Sequence, residues 1–141
     1  MKNTIPEKVL VFGTYDVFHP GHEHHLRKAK LRGEKLYVVV ARDETVKKMK
    51  GVNPQNSEKK RMARIKSLDF VHKVYLGGEG DKYKIIEKIR PDLICLGYDQ
   101  THFTRGLKEA LKRRGLNPKI VRFREAHLPE KYKSSLIRKR K

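Results

Sequence analysis

The segment GTYDVFHPGH at residues 13–22 carries two histidines three residues apart, His19 and His22. Pro20 presets a helical φ and is common in the first turn of helices, so a helix is expected to begin between them. Side chains at this spacing can point the same way, and the free backbone N–H groups of a helix start attract anions. The pattern therefore predicts a pocket in which imidazole and backbone donors hold the phosphate chain of a nucleotide.

Other sequence patterns for phosphate or metal binding are incomplete. The chain has no G-x-x-x-x-G-K-[ST] loop, and its first apolar block is not followed by G-x-G-x-x-G. His25 continues the spacing of His19 and His22. A zinc site, however, needs three or four ligands in closed geometry, and no cysteine or downstream histidine pair completes one. We therefore expect no metal ion held by protein side chains alone.

Short apolar blocks alternate with helical patterns along the chain. Each block is continuous and rich in Val, Ile or Leu, which is typical of strands buried on both faces of a parallel sheet. The predicted strands cover residues 9–13, 36–41, 71–76, 92–97 and 120–123. The predicted helices cover residues 21–31, 57–68, 82–89 and 103–114. This alternation predicts a single α/β domain over residues 1–141, doubly wound and Rossmann-like, with a five-stranded parallel sheet.

The topology predicts where a ligand should bind. Doubly wound sheets bind ligands at the carboxyl ends of their strands. The residues at those positions are 14–22, 42–48, 77–80, 98–100 and those from 124 onward. The lysine-rich segment 42–56 ends in NPQN, which indicates a mobile loop after a short helix, and Ser57 is a good N-cap for the next helix.

The charge of the chain favours an anionic partner. Lysine and arginine total 35 against 16 acidic residues, which gives a formal net charge of +19. Such a surface attracts nucleotides, nucleic acids and acidic headgroups alike, so a basic RNA-binding module remains the non-enzymatic alternative. RNA binders add exposed aromatic side chains for base stacking, and this sequence has no tryptophan. We therefore do not expect nucleic acid to be the partner.

Features of membrane and secreted proteins are missing from the sequence. No stretch approaches the roughly 18 apolar residues of a membrane span. Residues 1–8 contain no apolar core like that of a signal peptide. Cys95 lies inside an apolar run, where a packed thiol is expected. We expect a cytoplasmic protein that does not act at a membrane.

The segment at residues 13–22 resembles the signature of the cytidylyltransferase-like nucleotidyltransferases, whose H-x-G-H element binds the phosphates of a nucleoside triphosphate (NTP). Residues 42–48 resemble the family's acidic-then-lysine loop, residues 96–100 its G-x-D element, and residues 133–138 its terminal S-[ST]-x-I-[RK] element. The R-T-x-G-I-S-T-T form of the glycerol-3-phosphate cytidylyltransferases is missing. The resemblance implies that a substrate phosphate attacks the α-phosphorus of an NTP and that pyrophosphate leaves.

The resemblance also implies roles for individual residues. His19 and His22 would bind the reacting phosphates, and Lys48 would reach the incoming substrate phosphate. The implied catalytic residues are His19, His22 and Lys48. The implied nucleotide-binding residues are Gly13, Thr14, Tyr15, His19, His22, Asp99, Ser134, Ser135 and Arg138. The implied acceptor-binding residues are Asp16, Lys47, Tyr98 and Phe103.

Within the family, the chain resembles the archaeal FMN adenylyltransferases most. The likeness lies in VARDETVKKMKG at residues 40–51, LGYDQT at residues 96–101 and IVRFR at residues 120–124. It implies ATP as donor, FMN as acceptor and FAD as product, with Mg²⁺ arriving on the NTP and a homodimer as the assembly. Tyr98 and Phe103 follow the fourth strand, where a flavin ring would need an apolar or aromatic slot. The alternatives are CTP with glycerol-3-phosphate, and a sugar phosphate with either nucleotide.

Overall fold

One parallel sheet of five strands organises the part of the chain that the computed structural model describes, residues 6–78, 81, 83–97 and 106–123. The strands are β1 (Lys8–Gly13), β2 (Lys35–Val40), β3 (Lys73–Leu76), β4 (Leu93–Leu96) and β5 (Lys119–Arg122). The helices are α1 (Pro20–Lys30), α2 (Asp43–Lys50), α3 (Glu58–Lys66), α4 (Lys84–Ile89) and α5 (Leu107–Arg113). The strand order is β3-β2-β1-β4-β5, and all neighbouring strands are parallel. The predicted five-stranded parallel, Rossmann-like sheet is confirmed.

Burial on both faces of the sheet explains its continuous apolar strands. Val9 and Val11 of β1 pack into the layer that α1 and α3 cover. Leu10, which lies between them, packs into the opposite layer under α4 and α5. All three side chains are 0% exposed. Cys95 of β4 is also buried, and burial raises the pKa of its thiol to about 11, so the prediction of a packed thiol is confirmed.

Local signals set several element ends. Ser57 caps α3, as predicted, because its Oγ accepts a hydrogen bond from Lys60 N at 3.3 Å. Gly115 adopts φ 79° just after α5, a conformation that glycine reaches without steric cost. The strand predicted at 71–76 begins two residues later because Val71 N donates to Leu68 O at 3.2 Å and closes a turn.

The helices are short. The longest in the described ranges, α1, has 11 residues, and none of these helices is long and apolar enough to cross a membrane. The short helix expected in segment 42–56 is α2, which has eight residues and ends at Lys50, with Gly51 as its C-cap. The residues that follow α2 are not helical, and they lead to the start of α3.

Candidate active site

The predicted phosphate-binding segment lies at the carboxyl edge of the sheet, where β1 leads into α1. The strand order changes direction beside β1, which lies between β2 and β4, and doubly wound sheets bind ligands at this position. The ends of β1 and β2 are joined there, because Ala41 N donates to Gly13 O at 3.0 Å. Since α2 follows β2 directly, the segment with the two histidines and the helix with the lysines begin side by side.

His19 and His22 are both held through their Nδ1 atoms. His19 is the N-cap of α1, and its Nδ1 accepts a hydrogen bond from Gly21 N at 3.0 Å. The Nδ1 of His22 in turn accepts from His19 N at 3.3 Å. A ring nitrogen that accepts a hydrogen bond carries no proton, so the proton of each neutral imidazole lies on Nε2. The helix start therefore fixes two imidazole rings with their Nε2–H groups available as donors.

The two rings are neutral at pH 7. They stack with their centroids 3.9 Å apart. Burial lowers the pKa of His19, and burial together with the charges of His19, His25 and Lys50 lowers the pKa of His22 to about 4. The Nε2 atom of His19 is buried and has no hydrogen-bond partner among the residues that the structure describes. A buried donor without an acceptor costs about 1–3 kcal/mol, and a phosphate oxygen would remove that cost.

We expect the neutral His22 ring to make stability depend on pH. Its pKa of about 4 in the folded protein lies below its ordinary value, so the unfolded chain binds more protons between the two values. The free energy of unfolding therefore falls as the pH drops below about 6.5, by roughly 2 kcal/mol at pH 5. His22→Asn keeps an acceptor for His19 N and does not titrate in this range. Denaturant unfolding at neutral and acidic pH should show the smaller loss in the variant, and an equal loss in both proteins would contradict the expectation.

The buried ring of Tyr15 packs against both Gly13 and His22. Its φ of 54° places it in the left-handed region, and its ring lies directly over Gly13. A Cβ at Gly13 would lie 2.4 Å from Cζ of Tyr15, so only glycine fits beneath the ring. The ring meets His22 edge-on at a centroid distance of 5.5 Å. Burial raises the pKa of the Tyr15 hydroxyl, which has no hydrogen-bond partner within the described part of the chain.

Tyr15→Phe is expected to raise the free energy of unfolding by about 1 kcal/mol, because it removes a buried unpaired hydroxyl and keeps the ring. Chemical denaturation measures this change. Tyr15→Leu is the matched control: it removes the hydroxyl and also the ring that packs against His22, so it should destabilise the protein. A loss of stability in Tyr15→Phe would show that the hydroxyl has a bonding role.

Asp16 holds the stretch that follows α2. Its carboxylate oxygens accept hydrogen bonds from Gln55 N and Asn56 N, each at 2.8 Å. The side-chain amide of Asn56 also donates to the Asp16 backbone oxygen. Partial burial raises the pKa of Asp16, but these hydrogen bonds and the charge of Arg61 outweigh it and lower the pKa below its ordinary value. Asp16 thus connects the residues before α3 to the loop between β1 and α1, which carries His19.

The lysines of α2 are exposed, and one of them acts on a histidine. Lys47, Lys48 and Lys50 all lie on the solvent-exposed part of this helix. The charge of Lys50 is close enough to His22 to lower the pKa of its imidazole. The family resemblance implied roles for Lys47 and Lys48 and none for Lys50. The KKMK run was a signal for a cationic patch, but it could not show which lysine approaches the histidines.

The structure describes some of the predicted site residues and not others. The described ones follow β1 or lie on α2 after β2, at the carboxyl edge of the sheet: Gly13, Thr14, Tyr15, Asp16, His19, His22, Lys47 and Lys48. The following predicted residues lie outside the described ranges: Tyr98, Asp99, Phe103, Ser134, Ser135 and Arg138. Their roles stay predictions.

Comparisons with known proteins agree on one family. A family model described as cytidylyltransferase-like matches residues 10–140. A FAD synthase from Methanobrevibacter ruminantium is 46% identical over 123 residues, which cover 85% of this chain and 81% of that protein. A FAD synthase from Methanothermus fervidus is 47% identical over 116 residues, covering 80% and 79%. The crystal structure of a lipopolysaccharide core biosynthesis protein from Thermoplasma volcanium matches with a TM-score of 0.78 and 39% identity, over 84% of this chain and 96% of that one.

Proposed function

The chain belongs to the cytidylyltransferase-like family, and we propose that it transfers the adenylyl group of ATP to FMN, which yields FAD and pyrophosphate. An oxygen of the FMN phosphate forms a bond to the α-phosphorus of ATP. The bond from the α-phosphorus to the bridging oxygen breaks, and pyrophosphate leaves with that electron pair. The names of the relatives support the two substrates, whereas the geometry of the histidines supports the phosphate chemistry.

One observation carries the phosphate half of the proposal: the Nε2 of His19 is buried beside the stacked ring of His22, and no described residue forms a hydrogen bond with it. Negative charge grows on the phosphate oxygens in the transition state, and fixed N–H donors stabilise it without reorganising. Both rings are already oriented by the start of α1. We assign His19 and His22 to the α- and β-phosphates of ATP, with Thr14 beside them.

The histidines act as donors in this proposal, not as bases. The Nδ1 lone pair of each ring already accepts a backbone N–H, and each Nε2 carries the proton. Neither neutral ring therefore has a free lone pair with which to accept a proton. The reaction does not require a base, because a phosphate monoester such as FMN, with a second pKa of about 6, is ionised at neutral pH.

The acceptor half of the site rests on α2. Its exposed lysines would bind the FMN phosphate as point charges, close to the histidine that Lys50 already influences. Lys47, Lys48 and Lys50 are the candidates. Tyr98 and Phe103 remain our proposal for the walls of the flavin slot, and Ser134, Ser135 and Arg138 for the β- and γ-phosphates.

We further propose that Mg²⁺ arrives bound to ATP, that the enzyme is a homodimer and that it works in the cytoplasm. Within the described residues, no group of three His, Cys, Asp or Glu side chains could hold a metal ion. Phosphate oxygens and water would then be the main ligands, as is usual for Mg²⁺. When bound, the ion neutralises part of the charge on the phosphate chain.

The proposal is tested by incubating the protein with FMN, ATP and Mg²⁺. Formation of FAD quenches the flavin emission because adenine stacks on the ring, and mass spectrometry identifies the product. Riboflavin in place of FMN is the matched control, because it has the same ring and no phosphate; it should give no product. Formation of CDP-glycerol from CTP and glycerol-3-phosphate, with no FAD from FMN and ATP, would overturn the substrate assignment.

A further inference from the structure

Arg61 of α3 is the one charged side chain that is buried within the described part of the chain, with 1% of its surface exposed. A buried guanidinium is costly unless hydrogen bonds compensate for its lost hydration. No step proposed for FAD formation uses Arg61. Its burial therefore needs another explanation.

The guanidinium makes four hydrogen bonds. Its Nη1 donates to Thr14 O at 3.0 Å and to Ala41 O at 2.7 Å. Its Nε donates to Asn56 O at 3.0 Å, and its Nη2 donates to Asp43 Oδ1 at 2.6 Å. Three of these acceptors are backbone carbonyls at the carboxyl edge of the sheet, and the fourth is the carboxylate of Asp43 at the start of α2.

These four acceptors belong to the segments that carry the proposed site. Thr14 lies in the loop that leads to His19, and Ala41 follows β2. Asp43 opens the lysine-bearing helix, and Asn56 belongs to the stretch that Asp16 holds. One side chain thus connects the phosphate-binding loop to the acceptor helix.

A second residue of α3 reinforces the connection to α2. Glu58 Oε1 accepts a hydrogen bond from Asp43 N at 2.8 Å, so the same residue is held through its backbone by Glu58 and through its side chain by Arg61. Two hydrogen bonds from α3 to Asp43, one to its backbone and one to its side chain, therefore fix the start of α2.

We propose that Arg61 is a positioning residue, which sets the distance and angle between the lysines of α2 and the imidazoles of His19 and His22. The proposal rests on the proposed function. In-line attack needs the FMN phosphate opposite the leaving group of ATP, and a misplacement of about 1 Å can cost about 10²-fold in rate. Arg61 touches neither substrate, so its loss should act on their alignment more than on their binding.

Arg61→Lys tests this proposal. Lysine keeps the charge, but its single ammonium has three donors and cannot span four acceptors in the geometry of a guanidinium. We expect kcat for FAD formation to fall about 100-fold, whereas KM for ATP and for FMN should each change by less than about 5-fold. Arg113→Lys is the matched control: it is the same substitution at an exposed helical residue, on α5, and it should leave both constants near wild type.

Hydrogen exchange gives a readout that does not depend on activity. In folded Arg61→Lys, the amides of α2 should exchange about tenfold faster or more, whereas those of β1 and β2 should stay protected, because α2 loses its anchor and the sheet does not. If wild-type protein makes no FAD, the proposed function fails, and the exchange result still decides whether Arg61 anchors α2.

A milder variant covers the case in which Arg61→Lys does not fold. Asp43→Asn weakens only the bond to α2, and its side chain is 41% exposed, so the fold should tolerate it. kcat for FAD formation should fall about 3–10-fold, whereas KM for ATP and for FMN should each change by less than about 5-fold. Wild-type kcat in folded Arg61→Lys, or an unchanged kcat together with unchanged α2 exchange in Asp43→Asn, would overturn the positioning role.

Discussion

Replacing His19 with asparagine should lower kcat/KM for FAD formation by about 10²–10³-fold and leave the free energy of unfolding within about 1 kcal/mol of wild type. Asparagine is among the best N-cap residues, and its side-chain oxygen can accept the hydrogen bond that Gly21 N now donates to His19 Nδ1. Its short side chain does not reach the position of Nε2. The variant therefore keeps the start of α1 and removes the donor that the site presents to phosphate.

Two further substitutions separate the two roles of this imidazole. His19→Ala removes both, so it should lose activity to a similar degree and also lose about 0.5–2 kcal/mol of stability from the missing cap. The longer amide of glutamine places an N–H donor nearer to the position of Nε2, so His19→Gln should retain more activity than His19→Asn. Steady-state kinetics with saturating Mg²⁺ and denaturant unfolding measure both effects. Near wild-type turnover in His19→Asn would show that Nε2 does not act on the phosphates.

The position of this site could be predicted from the sequence because its signals are local. The apolar runs of β1 and β2 predicted buried parallel strands, and Pro20 predicted the start of α1 within one residue. Because β1 leads directly into α1, these two elements place His19 and His22 at the carboxyl edge of the sheet. The tautomer of each ring could not be predicted, since it depends on the backbone N–H groups that meet Nδ1.

Arg61 shows what sequence patterns cannot reveal. It lies in the run EKKRMARIK, where five of nine residues are basic, and its neighbours Lys59 and Lys60 are exposed. Only tertiary packing distinguishes it from them, because its partners lie 5 to 47 residues away along the chain. The left-handed backbone conformation of Tyr15 could not be predicted from the sequence either. Its positive φ occurs where the ring folds back over Gly13, and no residue type in GTYD requires it.

The sequence and the structure single out different lysines of α2. The resemblance implied Lys48 first and Lys47 second, whereas Lys50 is the lysine whose charge reaches His22. Three exposed cations on one short helix cannot be ranked by spacing alone. The ranking requires knowledge of where the FMN phosphate sits relative to the imidazoles, and single substitutions can supply it.

We expect Lys50→Gln to raise KM for FMN by about 10–100-fold, because a hydrogen bond to a charged group contributes about 1.5–3 kcal/mol. The same substitution at Lys47 or Lys48 should raise it less, and KM for ATP should change little in all three. Lys59→Gln on α3 is the matched control, since it removes one exposed positive charge outside α2.

Salt separates a direct phosphate contact from a general effect of charge. Raising ionic strength screens long-range attraction between exposed charges and acts less on a contact pair, so KM for FMN should rise with salt in the wild type and in the Lys59→Gln control alike. The ratio of KM between Lys50→Gln and the control should persist at high salt if Lys50 touches the phosphate. A large effect at Lys48 alone would make Lys48 the acceptor lysine and leave Lys50 as a charge that only tunes His22. If all three variants match the control, the FMN phosphate binds elsewhere, and the acceptor role proposed for α2 is wrong.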